Sequence, residues 1–257
     1  MQADSMLIPF YHDWKFWSFA VAFTAVIMSQ LPPIRLWFKR AKLDVEVSSN
    51  MVISQHLGNP NVVLHLILSN IGGREIKVKE LEMVINPSSK SELIMPGKNY
   101  YQNPGDKATV LLTHIRLKPH EEWAHIIVFF PPFSRQEERL VKEMQLNVKN
   151  DINKKIRELK AAGGELPPDG VIAEDSTVRP VIAFFSSKFC WAPGEYVMRL
   201  QIRTEPNSAS CSKDYKFTLF ESDSKDLENY SDNYKRGFGV YLEDPNFPHV
   251  RVTLSEA

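Results

Sequence analysis

Read as a pattern of apolar and polar positions, the chain changes character twice. From Phe16 to Ile34 it carries no charge over about 19 residues, near the ~20 a helix needs to cross ~30 Å of hydrocarbon. From Leu43 onward the period drops to two. Leu43-Asp44-Val45-Glu46-Val47 alternates, as a half-buried strand does. Asn61 to Ser69 reads as a second strand, with Leu64, Leu66 and Leu68 on one face and Val63 and Ile67 on the other. Asn70-Ile71-Gly72-Gly73 supplies turn chemistry before Glu75-Ile76-Lys77-Val78-Lys79 alternates again, so this stretch predicts a hairpin. Further strands are predicted over 91–95, 109–112 (extending toward 117), 122–130, 195–203, 215–220 and 250–254. In the 195–203 segment Tyr196, Met198, Leu200 and Ile202 share a face.

One segment has the other period. Ser134-Arg135-Gln136-Glu137 is a capping-box sequence, and Leu140, Val141, Met144, Val148, Ile152, Ile156 and Leu159 then recur every three or four residues. Ala161-Ala162-Gly163-Gly164 ends a helix of roughly 40 Å, with Asn150-Asp151 as a place where it would bend. Residues 163–175 read as a loop, and the polar, acidic stretch 222–236 as a flexible loop or a surface excursion.

The expected architecture is therefore mainly β: an N-terminal transmembrane helix, then an antiparallel β-sandwich with one long inserted helix at about 134–162. The turns Asn70-Ile71-Gly72-Gly73, Leu117-Lys118-Pro119 and Pro193-Gly194-Glu195-Tyr196 resemble those of bacterial immunoglobulin-like sandwiches, a resemblance that implies a fold class and no activity.

The apolar run is framed as a membrane anchor is. Trp14, Trp17 and Trp37 flank it, Phe19, Phe23 and Ile27 lie within it, and Arg35, Lys39, Arg40 and Lys42 follow, against Lys15 alone on the other side. That asymmetry places the C-terminal domain in the cytoplasm and a short tail, residues 1–15, outside. Ser29-Gln30 and Pro32-Pro33 shorten the fully apolar part. A cleaved signal peptide would want leading positive charge and a small-x-small site. A core helix is the other alternative, and it would not need aromatic and basic framing.

Composition narrows the function classes. Lys plus Arg and Asp plus Glu each number 31, so net charge is zero and no nucleic-acid surface is indicated. The two cysteines, Cys190 and Cys211, read as free thiols in a reducing compartment. A Cys190–Cys211 bridge belongs to the alternative in which the domain is external. His114, His120, Glu121, Glu122 and His125 look like a metal cluster, but His120 and His125 are five apart, a spacing that aligns them on neither a helix nor a strand. No catalytic, cofactor or metal residues are therefore assigned.

The expectation is a non-enzymatic interaction module whose partners are membrane lipid and another protein, with a second copy met through the anchor as a further possibility. A hydrolase assembled from distant residues is the competing class. The basic second half of the long helix (Lys149, Lys154, Lys155, Arg157, Lys160) is a candidate lipid- or partner-facing surface.

Overall fold

The computed structural model describes residues 14–30, 39–87, 92–168 and 170–257. A helix, α1 (Trp14–Gln30), precedes eleven strands: β1 (Leu43–His56), β2 (Asn59–Asn70), β3 (Ile76–Pro87), β4 (Leu93–Tyr101), β5 (Val110–Leu111), β6 (Ile115–Leu117), β7 (Glu122–Phe129), β8 (Gly194–Glu205), β9 (Cys211–Leu219), β10 (Val250–Thr253) and β11 (Ser255–Glu256). Between β7 and β8 come α2 (Arg135–Ala161) and α3 (Asp175–Lys188). After β9 come α4 (Glu221–Asn229) and a 3₁₀ segment over Tyr230–Arg236.

The protein is mainly β and antiparallel with an inserted helix, as the periodicity predicts, but the sheet is barrel-like rather than an open pair of layers. Its order is β10-β1-β2-β7-β4-β3-β8-β9-β11. Two strands turn the corners. β4 pairs with β3 through Leu93–Pro96 and with β7 from Gly97 onward. Gly97 sits at that bend, where a Cβ would meet Ile127, Leu112 and Phe129 side-chain atoms at 3.3 Å. The other corner is the C-terminal strand, where β10 pairs with β1 and β11, two residues on, pairs with β9. A sandwich leaves such edges open; here one short strand bridges them.

Alternation fills the interior. Val62, Leu64, Leu66 and Leu68 of β2 share a single buried cluster with Tyr196, Met198, Leu200 and Ile202 of β8. β1 runs nine residues past the predicted Val47, because a register shift between Val47 and Met51 absorbs the polar Ser48-Ser49-Asn50 and returns Met51 and Ile53 to the core. The predicted hairpin at Asn70–Gly73 does not form. β2 pairs with β1 and β7, and β3 with β4, β6 and β8, so this turn is a crossover between the two halves of the sheet.

A second core lies around the tip of the β1–β2 hairpin. Leu57 there joins Val141, Met144, Val148 and Ile152 of α2, Val181, Phe184 and Phe185 of α3, and Tyr230 and Tyr234. α2 is continuous for 27 residues, without a break at Asn150, and its capping box is complete. α3 lies in a stretch for which no helix is expected: Pro180 and several β-branched residues disguise Val178, Val181, Phe184 and Phe185 as an aperiodic apolar run. The stretch 222–236, expected as a flexible loop or a surface excursion, is also ordered. Ser224, Leu227, Tyr230 and Tyr234, three or four apart, are all buried, and Ser224 Oγ donates to Trp191 O at 2.7 Å.

Glu137 belongs to the capping box and also pairs with Lys188 at the end of α3. Lys188 and the Ser134 hydrogen bonds hold its carboxyl down at about 2, from 4.5. A depressed folded-state value means the contribution is complete above the ordinary carboxylate range and is lost as pH falls toward about 2. Amide protection factors in α2 and α3 should therefore fall across that window, and Glu137→Gln should show lower protection already at neutral pH and a flatter profile in acid.

Candidate functional site

The expected span resolves into α1, 17 residues long, or about 26 Å at ~1.5 Å per residue. Among the described residues no helix is long and apolar enough to cross a membrane. The expected continuation to Ile34, together with Arg35 and Trp37, lies outside the described residues, as does the tail before Trp14.

α1 is nonetheless unusual. From Trp14 to Ser29 every side chain except Ala20 is exposed, including Trp14 (73%), Phe19 (68%), Phe23 and Ile27. It is apolar around its whole circumference, with Lys15 as the single charge. A helix of that kind is ordinarily buried in a core or in lipid. Its hydroxyls turn inward on its own backbone: Ser18 Oγ donates to Trp14 O at 3.1 Å, Thr24 Oγ1 to Ala20 O at 2.7 Å and Ser29 Oγ to Val26 O at 2.7 Å. Such back-bonding is what hydrocarbon requires of a polar group.

From Arg40 onward the chain is tied to the barrel by backbone contacts. Ala41 and Leu43 are buried in the barrel core. The β1–β2 ladder continues past the named strands, with Ile71 N donating to Lys42 O at 3.0 Å and Gly73 N to Arg40 O at 3.3 Å. Gly72 permits that approach, since a Cβ there would lie 2.4 Å from Arg40 O and 2.5 Å from Lys42 N.

Asn70 organises this end of the molecule. Its side chain is 1% exposed. Nδ2 donates to Arg74 O at 2.8 Å and to Leu117 O at 2.9 Å, and Oδ1 accepts from Gly72 N at 3.0 Å. Its backbone N donates to Glu121 O at 3.0 Å, and its carbonyl accepts from His120 N at 2.9 Å. One residue thus clasps the 70–74 turn to the 117–121 turn. A strand-ending Asn before x-Gly-Gly was visible in the sequence as turn chemistry, but its distant partners were not.

The histidines do not converge. His114 lies in the β5–β6 connection, and His120 is exposed in the 117–121 turn at φ +64°. His125 points its Nδ1 at Tyr101 O, 3.2 Å away, and its ring lies tilted against Trp123 and edge-on to Tyr100, at 4.5 and 5.1 Å. Glu121 and Glu122 accept hydrogen bonds from Lys118 N and Ser69 Oγ. Among the described residues no group of three or more His, Cys, Asp or Glu is placed to hold a metal.

The basic half of α2 is divided. Lys155 Nζ donates to Ile172 O at 3.0 Å and lies 3.7 Å from Asp151, which itself accepts from Glu174 N; these contacts join α2 to the start of α3. Lys149, Lys154, Arg157 and Lys160 are exposed. The core on which α2 packs gathers at the His56–Asn59 end of the β1–β2 hairpin, whereas Lys39, Arg40 and Lys42 enter at the Leu43–Asn70 end. The two basic segments therefore attach at opposite ends of a hairpin on the order of 40 Å long.

Cys190 and Cys211 are half-buried and not joined in a disulfide, so the bridge that the external alternative invokes is not formed. Burial pushes the Cys211 thiol above its ordinary value. Labelling without reductant should find two thiols in the unfolded chain, with Cys211 slow to react at neutral pH in the folded one. No family profile matches the chain, and comparison with curated proteins finds no match.

Proposed function

We propose that the chain is a membrane-anchored, non-enzymatic interaction module: α1 sits in lipid and holds the barrel, with its helical layer, at the cytoplasmic face. The observation that carries this reading is the exposure of α1 on nearly all sides, apolar but for Lys15, Gln30 and three hydroxyls that are satisfied internally. In water that surface has no stable environment; in hydrocarbon it needs no partner. Local thinning of the bilayer or the flanking residues make up the few ångströms by which α1 is short. The positive charge of Lys39, Arg40 and Lys42 after the helix, against Lys15 before it, favours the cytoplasmic side for the barrel.

The full chain should float with phospholipid vesicles and resist extraction at alkaline pH. Val21→Arg, at the middle of α1, should cost about 2.5–3.5 kcal/mol of insertion, a hundred-fold or so in partition, while leaving the urea denaturation of the barrel unchanged. Wild-type protein that stays in the aqueous fraction, or a variant that floats equally well, would remove the anchor reading.

A further inference from the structure

We infer that the anchor-side end of the barrel is itself a lipid-binding face, which seats the barrel end-on against a bilayer surface rich in anionic phospholipid; the inference rests on the anchor reading above. Lys39, Arg40, Lys42, Arg74 and Lys118 are all exposed at this end, and none of these side chains makes an ion pair among the described residues. They are brought together by backbone contacts. Arg40 and Lys42 give their carbonyls to the 71–73 turn, Arg74 gives its carbonyl to Asn70, and Lys118 follows Leu117, whose carbonyl Asn70 also binds.

The acidic groups of this end offset only part of that charge: one is ion-paired, and three carboxylates that each accept a neutral hydrogen bond stand against the five cations. Glu75 pairs with Arg116 at 3.5 Å, Glu121 accepts from Lys118 N at 2.6 Å, Asp44 from Val45 N at 3.0 Å and Glu122 from Ser69 Oγ at 3.4 Å. At the centre of the turn stands Ile71, an exposed apolar side chain (41%) between Asn70 and Gly72. An excess of exposed cations around an apolar tip matches an interface of phosphate headgroups over acyl chains.

Continuity with the anchor makes the bilayer the occupant. Residues 31–38 separate Gln30 from Lys39, a span of nine steps that reaches at most about 32 Å even fully extended, and from Arg40 onward the chain is pinned to the same turn that carries Ile71. The exposed lysines of α2 belong to the other end of the hairpin and do not share this surface.

The test uses the full chain with Cys190→Ala, Cys211→Ala and an apolar fluorophore on Ile71→Cys, in vesicles of phosphatidylcholine alone or with phosphatidylserine, both carrying spin-labelled lipid as quencher. Flotation reports the anchor; quenching at position 71 reports docking. The expected result is flotation in both lipids, with quenching only where phosphatidylserine is present. Arg74→Gln with Lys118→Gln should weaken docking roughly 25-fold, about five-fold per charge, and salt of about 0.5 M should release it, while Lys149→Gln with Lys154→Gln should change nothing. A chain that floats but is quenched equally in both lipids, or in neither, overturns docking and leaves the anchor standing. A chain that floats in neither removes both.

Discussion

Asn70→Leu should destabilise the protein by about 4–6 kcal/mol, enough to leave little of a typical domain's ~5–15 kcal/mol. Leu keeps the branched outline of Asn and suits a buried site, so most of the loss measures hydrogen bonding, with its larger methyl groups adding a packing cost. Arg74 O, Leu117 O and Gly72 N would all lose their side-chain partner, and each buried group left unpaired costs about 1–3 kcal/mol. Asn70→Asp should be nearly as damaging, since it keeps the acceptor toward Gly72 but turns a carboxylate toward two carbonyls. Urea denaturation followed by tryptophan fluorescence reads both variants. A loss under about 1 kcal/mol in either would show that the clasp is not what joins the two turns.

The second large effect concerns closure of the sheet. Removing residues 249–257 deletes β10 and β11, and with them buried Val250, Val252 and Leu254. At about 1.5–3 kcal/mol for each buried side chain, the loss is on the order of 5–9 kcal/mol before the ladder bonds are counted. It would also uncover β1 and β9, whose backbone groups would then seek other strands. The expected outcome is a chain that fails to melt cooperatively and associates on size-exclusion chromatography. A milder version, Val252→Ala, should keep the barrel monomeric and cost about 1–2.5 kcal/mol. A truncated chain that remains monomeric and cooperative would mean that the sheet is stable open.

Much of this architecture could be read in the sequence because the buried faces alternate cleanly. Tyr196, Met198, Leu200 and Ile202 are all on the inner face of β8, and the capping box at Ser134 begins α2 where expected. Local patterning fixes such elements. Pairing was not legible in the same way. The turn at Asn70–Gly73 has hairpin chemistry, yet its strands have other neighbours, because the Asn70 side chain reaches across to Leu117 and the ladder beside the turn is filled by residues 40–42. The 222–236 stretch looked unstructured because acidic residues separate Ser224, Leu227, Tyr230 and Tyr234, whose burial depends on a helical layer the sequence only half revealed. At the candidate site, the cations and the apolar helix were visible one by one. That Arg74 and Lys118 join Arg40 and Lys42 at one end of the barrel follows from long-range backbone contacts that no local pattern encodes.

The bridging strand also sets an order of events during synthesis. Thr253 meets Asn50 across a separation of 203 residues, so the barrel cannot shut until the ribosome has delivered residues beyond 250. α1 emerges more than two hundred residues earlier. At about 5–20 residues per second, that leaves on the order of ten seconds or more in which the apolar helix is available while β1 lacks its outer neighbour. An anchor engaged by lipid during that interval would hold the unfinished sheet close to the surface it will later face.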